Sequence, residues 1–114
     1  MDRATLDRTL FALADPKRRG AIDLLRQKPH KASELADALS LTRPAMSRHL
    51  RVLRKGGLVS EEGHDDDARL RIYRLERQPF DDLEGWLEEV RAFWGDQLAA
   101  FKAFAEKGGR RDPG

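Results

Sequence analysis

The sequence predicts a mainly α-helical chain with one small β-hairpin, ordered helix, helix, helix-turn-helix, hairpin, long helix. Three observations carry this. Apolar residues recur at helical spacing in several segments up to Leu53 and again from Leu83 to Ala105. Residues 58–62 and 69–75 lie between these regions and read as two strands. Caps and stops punctuate the chain at Asp15-Pro16, Thr42 and Gly56-Gly57.

Residues 3–14 form the first helix, with Leu6, Leu10, Leu13 and Ala14 at helical spacing. Asp15 caps the second and Pro16 occupies its first position, where a missing N–H is harmless. Ile22 and Leu25 carry its apolar face, Leu24 flanks it, and it ends near Gln27, before Pro29. Gly20 sits mid-helix, where it costs roughly 1 kcal/mol against Ala; close helix packing is one reason to keep it. A short helix over 32–39 turns Leu35, Ala36 and Leu39 inward. Ser40-Leu41-Thr42 makes a tight turn, and Thr42 caps a helix that runs to Lys55 and stops at Gly56-Gly57. A long helix fits 79–107. Leu83, Leu87, Val90, Trp94, Leu98, Phe101 and Ala105 make one stripe, which Trp86, Phe93 and Phe104 widen. The tail 108–114, "GGRRDPG", is expected to be disordered.

The 114 residues suit one domain, expected over 1–107. With 39% hydrophobic and 37% charged residues the chain is polar for its size, so a partner subunit is expected to complete the core. There is no cysteine, which excludes disulfides, thiolate metal sites and cysteine nucleophiles. No apolar run approaches the ~18 residues of a membrane span. The charged N-terminus lacks a signal-peptide core, so a cytoplasmic protein is expected. Net charge is only +2, but it is unevenly placed. Residues 38–60 hold five bases and no acids; residues 76–106 hold three bases against eight acids, a net of −5. A basic segment inside a nearly neutral chain points to contact with a polyanion.

That segment contains the helix-turn-helix, residues 32–55, whose second helix has the form that enters a DNA major groove. Met46, Leu50 and Leu53 share one face. Pro44, Ser47, Arg48 and Arg51 share the opposite one, with Arg43 at the entry and Lys55 at the exit. Arginine reads guanine with two hydrogen bonds, and hydroxyls hold phosphates. The candidate DNA-binding residues are therefore Thr42, Arg43, Ser47, Arg48, Arg51 and Lys55, joined by Arg69 and Arg71 from the second strand, which alternate onto one face. Arg74 falls on the other.

"ADPKRRGAIDLL", "ASELADALSLTRPAMSRHLRVLRKGGLV" and "IYRL" resemble the ArsR family of bacterial winged helix-turn-helix transcriptional regulators, over residues ~10–76. The aromatic-rich helix beginning "WLEEVRAFW" is similar to a metal-free branch. The resemblance implies a winged helix-turn-helix fold with residues 58–75 as the wing. It also implies a homodimer held by the first and last helices, an inverted-repeat operator, and repression by blocking polymerase. The candidate dimer interface is Leu6, Leu10, Leu83, Leu87, Val90, Trp94, Leu98 and Phe101. Gly85 and Gly95 inside the last helix either permit close backbone approach or only weaken it.

Family metal sensors use cysteines at the start of the helix-turn-helix, where Lys31 and Ser33 stand here. Others use His and acidic ligands on the last helix, which has no His from Pro79 onward. No metal or other cofactor is expected. His30 reads as a solvated loop residue, and His49 as a packing or phosphate-contact residue. At the wing tip, residues 63–68, His64-Asp65-Asp66-Asp67 reads as a solvated turn; a metal site or a device limiting non-specific DNA binding are the alternatives. No catalytic residues are expected: Asp81-Asp82 and Glu88-Glu89 diverge around a helix, and no nucleophile triad or phosphate loop is present. The partners expected are double-stranded DNA and a second copy, with an inducer of unknown kind, small molecule or protein, left open. Two other functions remain open: a protein-interaction module on the same scaffold, and a sensor with a novel His/Asp metal site.

Overall fold

The computed structural model describes residues 2–63 and 70–111. Among them the order is α1 (Arg3–Leu13), α2 (Pro16–Leu25), β1 (His30–Lys31), α3 (Ala32–Ala38), α4 (Arg43–Lys55), β2 (Val59–Glu62), β3 (Ile72–Leu75) and α5 (Gln78–Arg111). The chain divides into two compact units, Met1–Leu83 and Glu84–Gly114. The first unit holds the core, the sheet and α4. The second is the remainder of α5.

The core of the first unit gathers Ala12, Ala21, Ile22, Leu25, Leu35, Ala36, Met46, Leu50, Leu53, Leu58, Val59 and Tyr73. Full burial of a side chain such as Leu or Met contributes about 1.5–3 kcal/mol, so the three buried residues of α4 alone fix which face it turns outward. In α1 the buried residues are Thr9 and Ala12, while Leu10 and Phe11 are exposed. Gly20 has its packing reason: a Cβ there would stand 2.7 Å from Cδ2 of Leu39, between α2 and the end of α3.

Basic residues of α2 close the helix ends around it. The last carbonyls of a helix lack intrahelical donors. Arg18 Nε donates to Ala12 O at 2.7 Å and Nη2 to Phe11 O at 3.0 Å; Arg19 Nη1 donates to Leu13 O at 2.9 Å. Lys17 Nζ donates to Leu39 O at 2.7 Å, at the end of α3. "KRR" therefore serves the fold: it caps α1 and α3.

Four departures from expectation concern the sheet and the last helix. The sheet has three antiparallel strands in the order β1-β3-β2, not two. His30 is not a solvated loop residue. It pairs with Tyr73, its side chain is largely buried, and neither ring nitrogen has a hydrogen-bond partner among the described residues. Two residues are too few to show a strand period, so the pairing left no local signal. The third strand begins at Ile72 rather than at 69. Finally, α5 begins at Gln78 and its backbone stays helical to Arg111, past the Lys107 boundary and into the tail expected to be disordered. Gly108-Gly109 penalise a helix by about 1 kcal/mol each but do not forbid it.

Candidate nucleic-acid interface

The turn between α3 and α4 sets the entry of the second helix. Leu41 N–H reaches Ala36 O at 2.9 Å and Ser40 N–H reaches Asp37 O at 3.3 Å, the bonding of a Schellman stop. Ser40 takes φ 56°, a left-handed value unusual for a residue with a side chain. Thr42 is extended, and its Oγ1 accepts from Ala45 N–H at 3.2 Å, leaving its own hydroxyl hydrogen to donate elsewhere. At the far end Leu58 N–H bonds Leu53 O at 3.0 Å and Gly57 N–H bonds Arg54 O at 2.9 Å. Gly57 there has φ 75°, a conformation that favours glycine.

Between these stops α4 divides by face as its spacing predicts. Met46, Leu50 and Leu53 are buried; Thr42, Arg43, Pro44, Ser47, Arg48, Arg51 and Lys55 are exposed. No ion pair joins Arg43, Arg48, Arg51 or Lys55 to a described residue. The neighbouring Arg54, in contrast, donates to Glu61 Oε1 at 2.8 Å. A surface of four such cations with two hydroxyls, Thr42 and Ser47, suits a phosphate backbone and the acceptor edges of guanine.

Arg71 is half-buried just before β3, with Nη1 3.7 Å from Glu61 Oε1. Arg69 lies outside the described residues, as does the His64–Asp67 run. Arg74 is ion-paired with Glu62. The sequence reading missed two residues here, Glu61 and Arg18. Their roles come from contacts with residues 6 to 31 positions away, and no local pattern encodes them. Arg18 is only 8% exposed and reaches His49 on α4. Burial, and then the neighbouring Glu61 carboxylate, push the Tyr73 phenol above its usual 10.0.

Of the candidate dimer residues, Leu10, Leu87, Leu98, Trp94 (64%) and Phe101 (68%) are exposed, while Leu6, Leu83 and Val90 are half-buried. Phe11, Phe93 and Phe104 are also exposed and were not in that set. A Cβ at Gly85 or Gly95 would meet nothing within 4 Å. Among the described residues no group of three His, Asp or Glu side chains is placed to hold a metal, and no helix is long and apolar enough to cross a membrane.

A helix-turn-helix with a basic outward face and an adjoining three-stranded sheet defines a DNA-binding transcriptional regulator. The profile of bacterial regulatory proteins of the arsR family matches residues 15–61. The chain is 32% identical over 103 residues to the HTH-type transcriptional regulator Rv2034 of Mycobacterium tuberculosis, covering 90% of this chain and 91% of that protein. It is 38% identical over 66 residues to the HTH-type transcriptional repressor SmtB of the same organism, covering 58% of this chain and 47% of that protein. Its fold matches an ArsR-like transcriptional regulator from Rhodococcus sp. RHA1 with a TM-score of 0.79 at 31% identity, over 91% of this chain and 93% of that one. The chain belongs to the ArsR family of winged helix-turn-helix transcriptional regulators, a family of DNA-binding proteins and not of enzymes.

Proposed function

We propose that the protein is a homodimeric repressor that binds an inverted-repeat operator. Each protomer reads one half-site with Arg48 and Arg51 of α4, while Thr42, Arg43, Ser47 and Lys55 hold the flanking phosphates. Arg69 of the wing is assigned a further phosphate, whereas Arg71 is held by Glu61. The observation that carries this is the division of the basic residues. Lys17, Arg18, Arg19 and Arg54 are engaged within the protein, whereas the outward cations of α4 have no described ion-pair partner. A similar protein, SmtB, is described as a repressor.

The dimer is supported by the apolar exposure of Leu87, Trp94, Leu98 and Phe101, with Phe93 and Phe104 beside them. Contiguous exposed apolar side chains mark interaction surfaces. A two-fold dimer places its recognition helices on half-sites about 10–10.5 bp apart, or a multiple of that. Footprinting on the DNA upstream of the protein's own gene, paired with sedimentation, tests both claims. Two protected half-sites at that spacing are expected per dimer. Trp94→Glu with Phe101→Glu is expected to sediment as a monomer and lose the paired footprint. One protected half-site, or a dimer unaffected by those substitutions, contradicts the proposal.

A further inference from the structure

We infer that Glu61 is a specificity-determining residue for DNA binding: its carboxylate neutralises Arg54 and Arg71 and so weakens attraction to DNA phosphates of any sequence. The inference rests on α4 being the DNA-facing helix. Glu61 lies on β2 opposite Tyr73. From there Oε1 reaches Arg54 Nη1 at 2.8 Å, in the last turn of α4, and Arg71 Nη1 at 3.7 Å, at the root of the wing. Among the described residues it is the one carboxylate paired with both. Its Oε2 is buried, with no hydrogen-bond partner among the described residues. Arg74, on the opposite face of β3, has its own partner in Glu62.

Each phosphate that a protein neutralises adds affinity regardless of sequence and steepens the salt dependence of binding. Two arginines at the junction of recognition helix and wing would ordinarily add such contacts. A carboxylate already between them competes with the phosphate for both and repels it. Arg48 and Arg51, which have no such carboxylate among the described residues, keep their full attraction. Discrimination between operator and other DNA then rests more heavily on α4.

The test uses a random-sequence duplex of about 30 bp, titrated from about 50 to 200 mM KCl, where the slope of log affinity against log salt counts phosphate contacts at ~0.9 each. Glu61→Gln is expected to raise affinity for this duplex on the order of threefold to tenfold and to steepen the slope by about one. Unchanged or weaker binding, in a variant that still melts cooperatively, overturns the inference. Arg71→Gln in the otherwise unaltered protein gives a second reading that does not depend on the first variant folding. If Glu61 masks Arg71, the slope stays as it was; a slope shallower by about one overturns the inference. Arg48→Ala with Arg51→Ala separates the two levels. If that pair binds the duplex like the unaltered protein, the reading of α4 has failed. If it weakens binding while Glu61→Gln changes nothing, the inference about Glu61 alone has failed.

Discussion

Nη1 of Arg18 lies 3.3 Å from Nδ1 of His49, joining α2 to the recognition helix across 31 residues of sequence. A guanidinium only donates, so in this contact Nδ1 is the acceptor. The same guanidinium bonds Phe11 O and Ala12 O and lies 5.3 Å from the centroid of the Phe11 ring. One side chain thus closes the end of α1 and braces the inner flank of α4. This favours packing over phosphate contact as the role of His49.

Arg18→Met keeps the apolar stem but leaves two carbonyls and a histidine nitrogen without their donor. Hydrogen bonds from charged groups contribute about 1.5–3 kcal/mol each, and buried acceptors left unpaired are costly. Stability in urea is expected to fall by about 2–4 kcal/mol. A loss below about 1 kcal/mol would show that water replaces the guanidinium readily.

Ser40 holds a left-handed conformation at the stop of α3. Glycine adopts that conformation without the steric cost of a Cβ, and its greater freedom in the unfolded chain offsets part of the gain. Ser40→Gly is expected to stabilise the protein by about 0.5 kcal/mol and to leave DNA affinity unchanged. Destabilisation on thermal melting would mean that the Ser40 side chain contributes more than the strained backbone costs.

Asp15 caps α2, accepting from Lys17 N–H at 2.8 Å and Arg18 N–H at 3.1 Å. The Arg18 bond chiefly holds its carboxyl below the ordinary 3.8, against the opposing effect of burial. A carboxyl lowered on folding stabilises the protein above its unfolded pKa, and that stability is lost as pH falls through the folded value. Asp15→Asn keeps an acceptor oxygen but does not titrate. Its stability deficit should therefore be full above about pH 5 and shrink toward zero below about pH 3. Urea midpoints across that range check this, and a deficit independent of pH contradicts it. Asp2 and Glu34, lowered by bonds from Thr5 and Lys31 N–H groups, keep titrating in the variant.

The parts of this fold that are local were legible in the sequence. The spacing of Met46, Leu50 and Leu53 placed the buried face of α4. Asp15, Thr42 and Gly57 marked real caps and a real stop. Each acts on neighbours within a turn or two, where periodicity and capping chemistry apply. What escaped depends on distant pairing. His30 joins a sheet only through Tyr73, 43 residues on. Lys17, Arg18 and Arg19 cap α3 and α1 through bonds that no periodic pattern encodes. Glu61 looked like any strand residue until the fold brought Arg54 and Arg71 to it. The outward cations of α4 were found because facing follows from local period, whereas the restraint on their neighbours does not.

The central claim is that the outward face of α4 reads DNA. The most direct measurement is a mobility-shift titration of the DNA upstream of the protein's own gene with the unaltered protein, Arg48→Ala and Arg51→Ala. A base-reading arginine contributes about 1–3 kcal/mol of discrimination, so each variant is expected to lose roughly tenfold or more in operator affinity. Variants that melt like the unaltered protein and still bind that DNA with unchanged affinity would contradict the assignment of this face.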